Sequence, residues 1–368
     1  MDKAQETVLE IDLSALTHNY HYLRSKIKPH TKFMAVVKAY AYGSDAQEIA
    51  LHLQELGTEY FAVAYVNEGI RLRQAGITRP ILVLHPQKVH FKALIENCLE
   101  PSIYSKTILE DFIAKAQELL VTDYPVHLKF NTGLNRLGFS VDDIPFIHST
   151  VKNQQAIKVI AVLSHLAASE DRAEIAFTQH QLHQFEDICH GVDALFAQKP
   201  LKHVLNTSGI INYPAAQYDM VRSGIGLYGY GNHPEVDRYL KPIATLKTII
   251  AQIHHIAAGE TVGYNRKYTS NKATITATLP LGHADGIGRQ YGNGKTYVLV
   301  NGTKALIIGN VCMDMIMIDI TDIDCKEGDE VIVFGTTLPA TAFAENANTI
   351  SYELITGLSQ RIQRVIKI

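Results

Sequence analysis

The sequence predicts an α/β fold in which a (β/α)8 TIM-type barrel is followed by a mainly antiparallel β domain. Between Lys32 and Tyr230, eight short apolar runs alternate with longer helical patterns. Strands that are each followed by a crossover segment indicate a parallel sheet, and eight in about 200 residues is the size of such a barrel. After Tyr230, short alternating runs separated by turns are typical of antiparallel strands. An open, doubly wound sheet is the alternative for the first part.

The barrel strands are predicted from short runs of aliphatic and β-branched residues, which are long enough for buried strands. These runs are residues 33–37, 60–64, 81–84, 101–104, 125–130, 157–164, 203–206 and 218–221. The fourth and eighth runs are the weakest patterns. The helices between the strands are predicted from segments such as residues 106–120 and the long stretch 174–198.

The segment GNHPEVDRYLKP, residues 231–242, carries turn and breaker residues and marks a domain junction. We therefore place the barrel at residues 13–234 and the β domain at residues 235–368. A helix over residues 350–362 is expected late in the β domain. The run VLEIDL is a strand that the barrel does not need, so we expect residues 1–12 to pack on the C-terminal domain.

The composition excludes several classes of protein. Of the 368 residues, 46% are hydrophobic and 19% are charged, as in ordinary soluble globular proteins. The formal net charge of −3 gives no basic surface for nucleic acid or an anionic membrane. The N-terminus has no apolar signal-peptide core, no run reaches transmembrane length, and the four cysteines are scattered without a CxxC pair. These features predict a cytoplasmic protein without disulfides or a metal site.

A lysine stands at the end of the first predicted strand, in the stretch KFMAVVKAYAYG. Functional groups of a (β/α)8 barrel gather at the carboxyl ends of its strands. Burial there disfavours the charged form of Lys38 and lowers its pKa from about 10.4, which gives an amine able to form Schiff bases. The alternative is a lysine that only extends from the strand end into solvent.

Further polar residues follow the other predicted strands. They are Lys129 and Arg136 after strand five, His165 after strand six, Asn206, Thr207 and Ser208 after strand seven, and Arg222, Ser223 and Gly224 after strand eight. The cations suit an anionic ligand, and the small residues of the last two loops suit a phosphate. Two turns that need small residues are the alternative. A phosphate site, a Schiff-base lysine and an arginine at the ring nitrogen would together describe a pyridoxal phosphate site.

Several motifs distributed along the chain carry a resemblance to a known family. They are VVKAYAYG, KFNTGLNRLGF, SHLA, HVLNTSGI, DMVRSGIGLYGY, TVGYNRKY, GHADGIGR, GNVCMDMIMIDIT and ISYELITGLSQRIQRV. In this order they resemble the alanine racemases over essentially the whole chain. The resemblance implies an enzyme that uses pyridoxal 5′-phosphate to interconvert L-alanine and D-alanine, supplying D-alanine for peptidoglycan. It also implies a homodimer with shared active sites.

The resemblance further implies roles for individual residues. Lys38 would hold the cofactor and act as one acid–base group, and Tyr264 from the partner subunit would act on the opposite face of the substrate. Cofactor binding would also involve Tyr42, His165, Asn206, Thr207, Arg222, Gly224, Ile225 and Tyr352. Substrate binding would involve Arg136 and the Met313 backbone. Supporting positions are Lys129, which some relatives carry in carbamylated form, and Cys312, Asp314 and His283.

The arginine expected at the pyridine nitrogen favours racemisation over related reactions. A guanidinium does not release its proton, so Arg222 would leave this nitrogen unprotonated and the cofactor a weaker electron sink. A decarboxylase of the related barrel type needs a strong sink, which Arg222 does not provide. A non-catalytic cofactor carrier would suit a lone barrel, whereas Tyr264 on a second domain indicates catalysis.

Some positions depart from the family pattern. His283 stands where most members have a tyrosine at the substrate entrance, and a histidine is shorter and titrates near neutral pH. Thr207 replaces a serine whose hydroxyl does the same work. The loop after Lys38 lacks the usual asparagine and histidine–glycine pair. A racemase for serine or another small amino acid is therefore the alternative function.

Overall fold

The computed structural model describes residues 4–368, so the first three residues of the N-terminal segment 1–12 lie outside the described part. The described chain divides into two compact units. The barrel unit comprises Thr17–Ala41 and Ala46–Leu240. The C-terminal unit comprises the described residues up to Leu16, together with Tyr42–Asp45 and Lys241–Ile368.

The strands and helices are short, as the runs in the sequence predict. Within residues 4–368 the strands are β1 (Val8–Asp12), β2 (Lys32–Val36), β3 (Tyr60–Val63), β4 (Ile81–Val83), β5 (Glu100–Ile103), β6 (Tyr124–Lys129), β7 (Ile157–Leu163), β8 (Leu201–His203), β9 (Met220–Ser223), β10 (Ala244–Ile249), β11 (Gln252–Ile256), β12 (Thr261–Val262), β13 (Tyr268–Thr269), β14 (Thr274–Leu279), β15 (Tyr297–Val300), β16 (Thr303–Ile308), β17 (Ile316–Asp319), β18 (Glu330–Phe334) and β19 (Gln363–Lys367). The helices of the same part are α1 (Leu13–Arg24), α2 (Lys38–Tyr42, a left-handed turn), α3 (Ala46–Glu55), α4 (Val66–Gln74), α5 (Phe91–Glu96), α6 (Lys106–Glu118), α7 (Ile144–Lys152), α8 (Ile175–Leu195), α9 (Thr207–Asn212), α10 (Pro234–Asp237), α11 (Ala340–Glu345) and α12 (Ser351–Thr356).

The barrel unit is built on parallel strands β2 to β9. Each strand from β2 to β7 pairs with the next strand along the chain, and β9 pairs with β2, which leaves β8 and β9 as the two ends of the sheet. Two backbone hydrogen bonds close the remaining gap, from Arg222 N–H to the Leu205 oxygen (3.0 Å) and from Asp219 N–H to the Lys202 oxygen (3.1 Å). The predicted barrel is confirmed. The alternative of a doubly wound open sheet is wrong, because strand order never reverses along this sheet.

Two barrel strands lie elsewhere than predicted. The seventh strand is β8, which ends at His203 and not at Asn206. Val204 and Leu205 are fully buried beyond the strand, so their apolar character misplaced the predicted boundary. The eighth strand is β9, which begins two residues later than predicted, because Tyr218 adopts a left-handed φ of 47° in the loop before it.

The C-terminal unit contains a mostly antiparallel sheet. Among the described residues its strand order is β11-β14-β17-β16-β15-β18-β10-β1-β19, and the β1–β19 pair is parallel. Lys247 of β10 lies 3.2 Å from a carboxylate oxygen of Glu10 in β1 and 3.3 Å from one of Glu330 in β18. Lys367 of β19 lies 3.2 Å from the other Glu10 oxygen. These ion pairs join four neighbouring strands on one face of the sheet.

The late helix is shorter than the sequence predicts. It ends at Thr356, and the chain then forms β19 beside β1. Gly357 follows the last helical residue, and the Arg361 side chain donates two hydrogen bonds to Asp285 (2.6 and 2.9 Å). This pairing draws residues 357–362 away from a continued helical path. No helix within residues 4–368 is both long enough and apolar enough to cross a membrane.

Candidate active site

Lys38 begins a strained left-handed turn at the end of the first barrel strand. The next residues, Ala39, Tyr40 and Ala41, have φ values of 52°, 57° and 50°, and Tyr42 follows at 55°. A non-glycine residue in this left-handed conformation costs about 1–2 kcal/mol of conformational free energy. Strain of this kind persists only where the surrounding structure holds it, and it is concentrated at functional sites.

The turn is held by Glu68 of α4. One carboxylate oxygen of Glu68 accepts the Ala39 N–H (2.6 Å), and the other accepts the N–H groups of Ala64 and Tyr65 (2.7 and 2.9 Å). The same side chain therefore binds the loops after the first two barrel strands. This role of Glu68 could not be predicted from the sequence, because it depends on how these loops approach each other.

The environment of the Lys38 amine favours its neutral form. Burial lowers its pKa, the Arg136 guanidinium lowers it further, and the Glu68 carboxylate opposes both effects. No carboxylate within residues 4–368 forms an ion pair with Lys38. An amine with a lowered pKa and no ionic partner is a suitable nucleophile for an aldehyde.

Lys129, the last residue of β6, is a second cation at this end of the barrel. It is 5% exposed and forms no ion pair with any of residues 4–368. Burial lowers its pKa to about 8, with contributions from Arg136, Arg222 and Lys38. Arg136 itself is exposed, on a loop that returns to the strand through a hydrogen bond from Phe139 N–H to the Lys129 oxygen (2.8 Å).

Arg222 of β9 is almost completely buried, and burial lowers its pKa to about 10. Its Nη1 donates to the Nδ1 and the carbonyl oxygen of His203 (2.7 and 3.0 Å). Its Nη2 donates to the carbonyl oxygens of Ser164 and Val204 (2.6 and 3.2 Å) and lies 3.4 Å from His165 Nδ1. Its Nε–H finds no acceptor within residues 4–368. That group is therefore the donor left for a ligand.

His165 follows β7 at the same end of the barrel. Burial lowers its pKa well below the usual value, and the cations Arg222, Lys129, Arg136 and Lys38 act in the same direction. The imidazole is therefore neutral at neutral pH. A neutral His165 ring adds nothing to the positive charge at this end of the barrel.

The loops after β8 and β9 lie side by side. Thr207 Oγ1 hydrogen-bonds to Ser223 Oγ (2.9 Å) and accepts the Gly226 N–H (3.3 Å). A Cβ at Gly226 would lie 2.5 Å from Thr207 Cγ2, so a larger residue does not fit. Asn206 caps α9 by accepting the Gly209 N–H (2.9 Å). These loops, which include Gly224 and Ile225, leave small residues and backbone N–H groups where barrels of this type hold phosphate.

A second group of predicted residues lies in the C-terminal unit. The N–H groups of His283 and Ala284 donate to the carbonyl oxygens of Cys312 and Met313 (2.9 and 2.8 Å). Asp314 continues this loop. The structure therefore brings His283, Cys312, Met313 and Asp314 together.

Tyr264 lies on another loop of the C-terminal unit. Asn310 fixes the loop by donating to the Tyr264 carbonyl oxygen (3.0 Å). The Tyr264 side chain is 71% exposed, and Met313 is 62% exposed. A predicted catalytic phenol is thus held by its backbone with its ring at the surface of this unit.

Tyr42 and Tyr352 also belong to the C-terminal unit. Their ring centroids are 6.1 Å apart, and burial raises the pKa of Tyr42, so its hydroxyl keeps its proton. Gly43 follows at a φ of 81°, and a Cβ there would lie only 1.8 Å from the Ile355 carbonyl oxygen. This close approach fixes the pair of tyrosines in position.

Three buried polar residues of the barrel were missed by the sequence reasoning. They are Glu100 at the start of β5, His127 in β6 and His203 at the end of β8, which connect to Arg222. One signal existed in the sequence: His127 precedes Lys129 by two residues, so both face the same side of the strand.

The residues of the barrel unit fit pyridoxal phosphate by their chemistry. Lys38 offers an amine with a lowered pKa, and the Arg222 Nε–H offers an unused donor for a ring nitrogen. The loops that contain Thr207 and Gly226 offer small residues and backbone N–H groups for a phosphate. Their individual roles remain predictions.

Comparisons with known proteins agree with this geometry. The family model described as alanine racemase, N-terminal domain, matches residues 11–232, and that described as alanine racemase, C-terminal domain, matches residues 243–366. An alanine racemase of Halothermothrix orenii is 36% identical, covering 98% of this chain and 97% of the relative.

Solved structures extend the comparison. An alanine racemase of Clostridium difficile 630 superimposes with a TM-score of 0.92 at 33% identity, over 100% of this chain and 97% of that chain. An alanine racemase from Bartonella henselae with covalently bound pyridoxal phosphate superimposes with a TM-score of 0.90 at 29% identity, over 99% of this chain and 100% of that chain. Matched in both domains and along almost all of its length, the chain belongs to the alanine racemase family.

Proposed function

We propose that the chain interconverts L-alanine and D-alanine with pyridoxal 5′-phosphate as cofactor. The observation that carries this proposal is the environment of Arg222, a buried guanidinium whose partners are carbonyl oxygens and imidazoles, with an unused Nε–H. When bound, the cofactor supplies electron withdrawal from the α-carbon of the substrate. A guanidinium only donates hydrogen bonds, so it would leave the ring nitrogen unprotonated and keep the electron withdrawal by the cofactor moderate. Moderate withdrawal suits racemisation better than decarboxylation or transamination.

Lys38 would hold the cofactor covalently, and Arg222 would face its ring nitrogen. Thr207, Gly224 and Ile225 would bind the phosphate, with Asn206 shaping the loop by capping α9. Tyr42, Tyr352 and the neutral ring of His165 would complete the cofactor site.

Racemisation requires two proton-transfer groups, because the α-proton leaves one face and returns to the other. We assign these roles to the Lys38 amine and the Tyr264 hydroxyl. The lowered pKa of Lys38 supports its role as a base. The exposed ring of Tyr264 supports its insertion into the barrel site of a partner copy, so we propose a homodimer with shared active sites.

Arg136 and the Met313 backbone would bind the substrate carboxylate, with Cys312, Asp314 and His283 shaping that loop. We propose that Lys129 is carbamylated. Its pKa of about 8 supplies the neutral amine that addition of carbon dioxide requires. The resulting anion would offset the neighbouring cations Arg136, Arg222 and Lys38.

A racemase for serine or another small amino acid is the second candidate. His283 favours it, because this residue lies beside the Cys312–Met313 loop and is shorter than the family's usual tyrosine. We further propose that the chain acts in the cytoplasm and supplies D-alanine for cell-wall peptide.

The test is incubation of the holoenzyme with L-alanine or L-serine in deuterated water. Chiral chromatography would follow the products, and mass spectrometry would follow deuterium at the α-carbon. We expect D-alanine with deuterium at the α-carbon, and loss of that product in Tyr264→Phe but not in the control Tyr239→Phe, whose ring is also exposed. Faster turnover of serine would favour the second candidate, and no α-exchange with either substrate would refute both.

A further inference from the structure

We propose that Glu100, through His127 and His203, is a positioning residue that holds the Arg222 guanidinium in its charged, donating orientation. A continuous chain of hydrogen bonds carries this inference. Arg222 Nη1 lies 2.7 Å from His203 Nδ1, His203 Nε2 lies 3.2 Å from His127 Nδ1, and His127 Nε2 lies 2.8 Å from Glu100 Oε2. The proposal rests on the proposed function only where it concerns catalysis.

The two ends of the chain determine where every proton lies. A guanidinium only donates, so His203 Nδ1 accepts from Arg222 and is unprotonated. The neutral His203 then carries its proton on Nε2 and donates it to His127 Nδ1. His127 in turn carries its proton on Nε2 and donates it to the carboxylate, which only accepts. Both imidazoles are therefore neutral, with their protons on Nε2.

This chain of hydrogen bonds lies in the barrel interior, where apolar side chains are usual. His127 and His203 are fully buried, Arg222 is 5% exposed and Glu100 is 8% exposed. Barrel interiors are normally filled by layers of valine, isoleucine and leucine. Polar groups in such a place are costly unless every one is hydrogen-bonded, and this chain satisfies its members in sequence.

The chain couples Glu100 to Arg222 although three hydrogen bonds separate them. If the proton of His127 moved to Nδ1, it would point at the proton on His203 Nε2. Relief of that conflict would move the His203 proton to Nδ1, where it would oppose the Arg222 donor. An acceptor at Glu100 prevents this sequence, so it keeps the Nη1 end of the guanidinium fixed and the Nε–H free for the ligand.

The test is nitrogen NMR of the full-length holoenzyme with labelled histidine, which distinguishes the imidazole tautomers. Signals would be assigned from their loss in His127→Asn and His203→Asn. We expect both rings to be neutral with Nε2 protonated in the unchanged protein and in Glu100→Gln, whose side-chain oxygen still accepts. In Glu100→Leu we expect this pattern to be lost at both rings. The control is Glu59→Gln, which changes a barrel carboxylate that does not belong to the hydrogen-bond chain and binds Arg24 and the Phe33 N–H instead. This control should leave the tautomer pattern intact.

The kinetic consequence separates positioning from a general loss of structure. We expect Glu100→Leu to lower kcat for alanine about tenfold or more while KM changes less than about twofold, because the substrate-binding residues are untouched.

A doubly protonated ring, a ring protonated on Nδ1, or an unchanged pattern in Glu100→Leu would overturn the proposal. If Glu100→Leu does not fold, the tautomers of the unchanged protein and of Glu100→Gln decide it. The predicted tautomers in a protein without racemase activity would refute the proposed function and leave the hydrogen-bond chain standing.

Discussion

Replacing Glu68 by alanine should loosen the turn that carries Lys38. The Glu68 carboxylate accepts the Ala39 N–H at 2.6 Å and also binds the N–H groups of Ala64 and Tyr65. Ala39 is the first of four consecutive non-glycine residues with left-handed φ values. The substitution removes an acceptor from the turn and leaves that backbone strain without its main support.

The size of the effect follows from the strain and the hydrogen bonds. A left-handed alanine costs about 1–2 kcal/mol, and a hydrogen bond to a charged group contributes about 1.5–3 kcal/mol. Loss of the bond from Ala39 alone should lower the free energy of local opening by about 2 kcal/mol. This corresponds to about thirtyfold faster hydrogen exchange of the turn, since 1.36 kcal/mol is a factor of ten.

Hydrogen–deuterium exchange followed by mass spectrometry measures this directly on the peptide that contains residues 38–42. The matched control is Glu55→Gln, which changes an exposed glutamate of α3 and should leave the exchange of that peptide unaltered. Unchanged exchange of the peptide in Glu68→Ala would refute the reasoning that Glu68 holds the turn.

Three further predictions test individual positions. Lys129→Met should raise the free energy of unfolding by about 3 kcal/mol below pH 8 when carbon dioxide is excluded, because burial lowers the pKa of Lys129 from 10.5 to about 8. Chemical unfolding over a range of pH should show that this gain vanishes as the pH rises to 10.5. Gly43→Ala should lower the free energy of unfolding, measured by thermal unfolding, by more than about 3 kcal/mol. The control Gly302→Ala has a similar φ but no atom within 4 Å of its added Cβ. It should lower the free energy of unfolding by about 1–2 kcal/mol in the same assay. Arg222→Glu should increase the transamination product pyruvate relative to D-alanine, and an unchanged product ratio would contradict the role assigned to the guanidinium.

The barrel could be predicted because its strands are buried on both faces and read as continuous apolar runs. The placement of Lys38 after the first barrel strand followed from that pattern, although β2 ends at Val36, one residue earlier than predicted. Val204 and Leu205 show its limit, since they are buried as a strand would be but lie outside the ladder. Apolar character reports burial, and it fixes a strand boundary only when backbone pairing is also known.

Residues that act through contacts between distant segments could not be predicted in the same way. Glu68 reads as a surface glutamate of a helix, and its role depends on where the Ala39 N–H points. Asp285 reads as part of a turn, yet it binds the Arg361 guanidinium through both oxygens. The strand β19 was hidden because its sequence continues a helical pattern, and its pairing with β1 overrides that preference.

Borohydride reduction of the yellow holoenzyme, followed by peptide mass spectrometry, tests the central claim that the Lys38 amine holds the cofactor. The account predicts a single pyridoxyl label on the peptide containing Lys38, with none in Lys38→Arg. A label on any other lysine, or a protein that takes up no cofactor, would contradict it.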